Sequence, residues 1–208
     1  MYMQTGENPV LHFERQAVGY CGEWSITVVI VWKMRFVGGT DVAEIDVWIR
    51  TLRAAEPAPM DLLLLADPSV DVIESYLSRS IVYVAERVPS DIIGVCAVLP
   101  TRPRTMEIVN VAVSEAWQQR GIGQRMLRAV MEDVCRKHRV SRLEIATGNS
   151  SFSQLRLYQK LGFRMSHIEH DFFVQNYAEP IFENGLQCRD LVHLWRDVTP
   201  FAEHSEAR

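Results

Sequence analysis

The stretch from residue 106 to residue 146 constrains the fold most. Residues 106–113 form a strand-like run, and 114–123 are polar and carry Gly121 and Gly123. A helix is expected from about Gly123 to His138, with Met126, Leu127, Val130 and Val134 on one face. Arg136, Lys137, His138 and Arg139 crowd its C-terminal end, where cations complement the helix dipole. Residues 143–146 form a second short strand. Strand, helix and strand in this order make a parallel pair with a right-handed crossover. The expected class is therefore mixed α/β.

The remaining pattern fits around that unit. Val42, Ile45, Ile49 and Leu52 recur at helical spacing over 40–55, with Thr40 as N-cap and Pro57 and Pro59 as terminators. A second helix is expected from Asp67-Pro68 to about Leu77, with Asp67 as its cap. Strands follow at 81–86 and 92–99. After the central unit come a helix over 152–161 closed by Gly162 and strands at 163–173 and 187–196, the last two joined by a loop over 176–185. Residues 1–33 stand apart as an extension to a domain of residues 34–208. Within the extension, the β-branched run Ile26–Trp32 reads as a strand that adds to the sheet, makes a homodimer contact or lies loose.

Composition narrows the function. With 208 residues, 48% of them hydrophobic, the chain can bury a core without staples. A net charge of −4 disfavours a nucleic-acid partner, which needs a basic excess. Cys21, Cys96, Cys135 and Cys188 are scattered with no C-x-x-C pair, so neither a zinc site nor a disulfide framework is indicated. Free thiols fit the cytoplasm. Seven apolar residues at 26–32 are too few to span a bilayer, so no membrane association is expected. His167, Glu169 and Asp171 share one face of the expected strand at 163–173; they read as a solvated polar face and not as a metal site. The five tryptophans read as packing residues.

The sharpest constellation is Gln118-Gln119-Arg120-Gly121-Ile122-Gly123, set after a strand and opening a helix. The first N–H groups of a helix are unpaired and the dipole favours an anion there, while glycines let the backbone approach a pyrophosphate closely. A dinucleotide-binding fold is one reading, and Glu144 even lies at a suitable distance downstream. Two features oppose it. Residues 114–120 separate the strand from the first glycine, and Met126 is too bulky for the third glycine position.

The segments EIVNVAVSEAWQQRGIGQRML, RLEIATGNS and LRLYQKLGF, in that order, resemble the GNAT acetyltransferase superfamily. Its signature [RQ]-x-x-G-x-[GA] is matched by Gln118, Gly121 and Gly123. The resemblance implies a six- to seven-stranded mixed sheet flanked by helices and splayed between its fourth and fifth strands, here 106–113 and 143–146. It implies acetyl-CoA as cosubstrate and no metal. The pantetheine arm would pair with the backbone of Val111 and Val113. The pyrophosphate would rest on N–H groups of Gln119, Arg120, Gly121, Ile122, Gly123 and Gln124, with Arg120 and Arg125 as charge partners. Asn149 or Ser151 would bond the pantetheine or a water, although neither sits at the spacing that many relatives use.

The implied chemistry is direct attack of an amine on the thioester. An alkylamine has a pKa of about 10.4 and must lose a proton, and the leaving thiolate, near 8.5, gains from receiving one. By resemblance, Tyr158 is the acid and Glu107 the base, with the N–H near Val111 holding the thioester oxygen. Alternation places Glu107, Val109, Val111 and Val113 on one sheet face. Tyr177, Glu179 and Glu183 in the 176–185 loop are candidates to meet a cationic acceptor: a small amine, an amino acid or a peptide. The alternative is an acyl-CoA-binding sensor without turnover.

Overall fold

In the computed structural model, the residues described are 12–20, 27–35, 47–87, 90–177 and 179–198. The first strands are β1 (His12–Tyr20), β2 (Thr27–Arg35), β3 (Val47–Thr51), then, beyond helices α1 (Met60–Ala66) and α2 (Val70–Leu77), β4 (Ile81–Arg87), β5 (Asp91–Arg102) and β6 (Thr105–Val113), most of them rich in β-branched residues. A single 3-10 turn at Glu115–Trp117 leads into α3 (Ile122–His138), followed by β7 (Arg142–Gly148), α4 (Phe152–Lys160) and β8 (Arg164–Glu169). A short helix α5 (Phe172–Asn176), a hairpin of β9 (Ile181–Glu183) and β10 (Leu186–Cys188), and β11 (Leu191–Asp197) complete the order.

The sheet proper runs β3-β4-β5-β6-β7-β11-β8, and β1–β2 extends it at β3. Every described pair is antiparallel except β6–β7. That parallel pair is the crossover expected from the sequence. Its register covers only Thr105–Ile108 against Arg142–Ile145. Beyond Ile108 and Ile145 both strands continue unpaired with each other, so the sheet splays open there.

Helices cover both faces. α3 and α4 pack on one, where Met126, Leu127, Val130, Tyr158 and Leu161 meet Cys96, Val98, Ile108, Leu143 and Ile145. α1 and α2 pack on the other, where Leu63, Ile73 and Tyr76 meet Val82, Val95, Ala97 and Ala112. Each fully buried side chain of this size contributes about 1.5–3 kcal/mol relative to exposure. α3 sits unusually close to β5. A Cβ on Gly94 would lie 2.7 Å from Met126 Sδ and 3.2 Å from the Ala112 carbonyl oxygen, so a larger residue there would have to displace Met126. The Tyr83 hydroxyl fixes the helix axially by donating to Asp133 Oδ2 at 3.0 Å.

The structure corrects several expectations. Residues 47–51 are strand β3, not part of a helix; residues 40–46 of that expected helix lie outside the described residues. Val47 and Ile49 are buried two residues apart and the strand pairs with β4, so cross-strand packing overrides the helical spacing into which Ile49 and Leu52 fall. Pro59 stands at the N-cap of α1 and starts a helix where a stop was expected. Asp67 closes α1, and the cap of α2 is Ser69, whose Oγ accepts from the Val72 N–H. The strand expected over 163–173 ends at Glu169, and Asp171 instead caps α5 in a left-handed conformation. The 176–185 loop contains β9.

Candidate active site

The α3 N-terminus forms from its glycine. Gly121 is the N-cap at φ +76°, the left-handed region where a Cβ is strained, and Gln119 shares that conformation at φ +60°. The first helical hydrogen bond runs from Arg125 N–H to the Gly121 carbonyl (3.0 Å). The N–H groups of Ile122, Gly123 and Gln124 therefore have no partner within the helix. Gln118, Gln119, Arg120 and Gly121 are exposed, whereas the Ile122 side chain is buried and only its backbone is free to meet a ligand. Arg120 lies over the Trp117 ring at 4.7 Å. Arg125 reaches toward β3, donating to the Val47 carbonyl at 3.1 Å. Gln118 donates to the Val113 carbonyl at 3.0 Å, which leaves that oxygen a second lone pair.

A β-bulge in β6 decides which side of the sheet each candidate faces. Val98 pairs with Ile108 and Ala97 with Asn110, so Val109 is passed over. The bulge corrects the expected alternation. Val111 and Val113 pack on the α3 side with Cys96 opposite Val111, and Val109 packs on the α1 side. Glu107, opposite Leu99, also belongs to the α1 side. The bulge thus separates Glu107 from Val111 and Val113 and lies where β6 parts from β7.

Tyr158 is buried on the α3 side, 6.2 Å from the Phe163 ring. Burial, and then the nearby Cys96 thiol, push its hydroxyl well above the usual phenol range, so it stays neutral. Glu107 is half-buried across the sheet. Burial raises its carboxyl first, the His193 side chain opposes that, and Glu144 adds to it. Glu144 is itself ion-paired with Arg102.

Asn149 and Ser151 are committed elsewhere. Asn149 Oδ1 accepts from the N–H groups of Arg189 (2.8 Å) and Asp190 (3.0 Å), pinning the start of β11 to the end of β7. Ser151 Oγ donates to Glu183, and Asn184 donates to the Ser150 carbonyl at 2.8 Å, so the β9–β10 hairpin is fastened to the N-terminus of α4. Glu183 is therefore a structural carboxylate. Tyr177 donates to Asp67 Oδ1 at 3.3 Å, joining α5 to the α1–α2 turn, and its hydroxyl is pushed up to about 12 by burial and Asp67. A cavity of about 110 Å³ lies beside it, lined by Phe173, Tyr177, Ile181, Gln187 and Cys188 among others. Glu179 is exposed.

Sequence reasoning passed over Asn110. It is buried in β6, donates from Nδ2 to the Leu63 carbonyl and the Tyr76 hydroxyl (3.0 Å each), and leaves Oδ1 without a partner. A lone amide among β6 valines was the available signal. Among the described residues no group of three or more His, Cys, Asp or Glu is placed to hold a metal, and no helix is long and apolar enough to cross a membrane.

Comparison with known proteins agrees with this geometry. The family described as the acetyltransferase (GNAT) domain matches residues 78–165. The uncharacterized N-acetyltransferase YvbK of Bacillus subtilis is 50% identical over 138 residues, 66% of this chain and 88% of that protein. A GNAT family acetyltransferase from Elizabethkingia anophelis, solved with acetyl-CoA bound, superposes with a TM-score of 0.69 at 44% identity, covering 73% of this chain and 97% of that one. A Bacillus subtilis acetyltransferase in complex with CoA superposes at 0.67 with 47% identity, over 72% and 97% of the two chains. The splayed parallel pair, the glycine-capped helix beside it and these likenesses agree, and the chain belongs to the GNAT family of acetyltransferases.

Proposed function

We propose that this acetyltransferase moves the acetyl group of acetyl-CoA to a primary amine, both substrates meeting in the gap between β6 and β7. The observation that carries the reading is that Tyr158 packs on the α3 side of the sheet while Glu107 lies on the α1 side, one residue before the last β6–β7 pair. The solved relatives that hold acetyl-CoA or CoA support the cosubstrate. In this reading the pyrophosphate rests on the α3 N-terminus at Gln119 to Gln124, and the pantetheine pairs with Val111 and Val113 as an added strand. The thioester then lies in the gap, and the amine approaches from the α1 side.

The amine nitrogen attacks the carbonyl carbon and Glu107 takes its proton, directly or through a water. The Val111 N–H steadies the oxygen as it gains charge. The C–S bond breaks and the thiolate takes a proton from Tyr158, which solvent restores. The products are an acetamide and free CoA. Positioning supplies most of the rate, because no covalent enzyme intermediate is needed.

Release of free thiol across a panel of small amines, amino acids and peptides tests the reaction. Turnover with at least one amine is expected. Tight acetyl-CoA binding with no turnover on any amine would favour a sensor instead. Tyr158→Phe should lower kcat by about 10²–10⁴-fold and leave the calorimetric acetyl-CoA affinity unchanged. An unaltered kcat would remove Tyr158 from the mechanism.

A further inference from the structure

β8 is the terminal strand of the sheet, and among the described residues nothing pairs with its outer edge. All six of its residues are exposed, Met165 and Ile168 at 52% each. It contains neither proline nor lysine, the residues with which edge strands commonly refuse a partner. On the α3 side, Met165 opens onto a groove of about 610 Å³ lined also by Phe152, Leu155 and Arg156 of α4, and Phe152 is 51% exposed. Apolar surface of this extent beside a bare edge marks an association surface.

The order of residues along β8 identifies what covers it. Laid antiparallel to itself about a point between Ser166 and His167, the strand sets Arg164 opposite the partner's Glu169 and Met165 opposite the partner's Ile168. In an unbroken strand those pairs would not match, since odd and even positions point to opposite faces. β8 is not unbroken. His193 of β11 pairs with His167 and Leu194 with Met165, so the register skips Ser166. The bulge leaves Arg164, His167 and Glu169 on the α1 side and Met165 and Ile168 on the α3 side. Each pair across the two-fold axis then shares a face, with opposite charges on one and apolar side chains on the other. The charges are also pre-ordered: Glu169 lies 3.3 Å from His193 Nε2, and Arg164 lies over the Trp195 ring at 6.0 Å.

We propose that β8 pairs antiparallel with β8 of a second copy of this chain, giving an isologous dimer with one continuous sheet. Each copy supplies both halves of the contact, so every pair occurs twice.

Light scattering and sedimentation velocity on the full chain, over a concentration series, test this. The expected particle has twice the 23.9 kDa chain mass. Arg164→Glu sets like charges against each other at both ends of the axis and should weaken association about tenfold or more, as should Glu169→Arg. The double variant R164E/E169R restores opposite pairs and should return the dimer. A monomer at every concentration overturns the proposal. So does a dimer indifferent to both single reversals, or one that the double variant fails to recover. Melting curves separate dissociation from unfolding. As an independent check, the M165C/I168C variant should form a disulfide-linked dimer on mild oxidation, and its failure to cross-link counts as a refutation. No readout depends on acetyl transfer, so this inference and the proposed function fail separately.

Discussion

On the α3 side of the sheet, the residues proposed to meet the coenzyme come mainly from one stretch, Val111 to Arg125, joined by Tyr158 from α4. On the α1 side, the residues proposed for the acceptor and the groups linked to them come from separated pieces: the α1–α2 turn at Asp67, Glu107 before the bulge, α5 with Tyr177, and His193 on β11. The first side is held by local geometry, a left-handed cap and a helix start, and depends little on what surrounds it. The second exists only once the chain has closed, through bonds such as Tyr177 to Asp67 and Asn149 to the start of β11. A site built locally suits a ligand shared across a family, and one built from distant pieces can change its acceptor without disturbing the coenzyme.

That contrast breaks most sharply at Glu107. Replacing it by Gln should lower kcat/KM about a hundredfold or more while acetyl-CoA affinity holds. The wild-type rate should rise with pH through a carboxyl lifted above its usual value near 4.3, and the variant should lose that limb. The sign for stability is opposite. A carboxyl raised in the folded protein favours folding below its unfolded pKa, and that contribution is lost as pH rises through the folded value. Glu107→Gln should therefore melt no lower than wild type at neutral pH. A full loss of coenzyme binding in this variant would show that the two sides are not separable.

A smaller effect is expected at Gly121. Valine there meets no neighbour within 4 Å of its Cβ, so the penalty is conformational, of order 1–3 kcal/mol for a residue forced to φ +76°. Calorimetry should find acetyl-CoA bound about tenfold or more weakly. Unchanged affinity would take the loop out of the coenzyme site.

The same contrast explains what could be read without coordinates. The period-two run of β6, the glycine pair and the apolar stripe of α3 are consecutive, so the crossover is legible in the residues, while its splay is what the family resemblance implies. The bulge at Val109 was not, because it arises from pairing with β5 and leaves no mark on β6 alone. It reversed the face assigned to Glu107. Ser151 and Glu183 look equally available to ligands as isolated residues, and only the folded hairpin reveals that they bond each other. β3 is ambiguous for a related reason: Ile49 fits a helical stripe with Ile45 and Leu52 as well as a strand face with Val47, and β4 chooses between them.

The smallest effect is expected from removing residues 1–33, proposed here as dispensable for acetyl transfer. β2 meets β3 at one described bridge, Ile30 to Ile49, whereas β3 pairs with β4 at five positions. Arg50 of β3 reinforces the second contact. It donates to Glu86 of β4 and holds Glu56 through two bonds of 2.7 Å, which keeps Glu56 near a pKa of about 2. β3 is therefore fixed to the sheet from its inner side. β4 and β5 lie between β3 and the strand that carries Glu107 and Val111. The link from the extension to the coenzyme loop runs through β3, whose Val47 carbonyl accepts from Arg125, and β4 holds that strand in place without β2. A chain starting at Met34 should keep kcat/KM within about twofold of the full chain. Its exposed β3 edge should show as lower solubility, because a bare strand recruits other strands. A large fall in turnover would place the extension inside the catalytic fold. A change from dimer to monomer would move the association surface from β8 to the opposite end of the sheet, and the charge-reversal pair at Arg164 and Glu169 would then have no effect on mass.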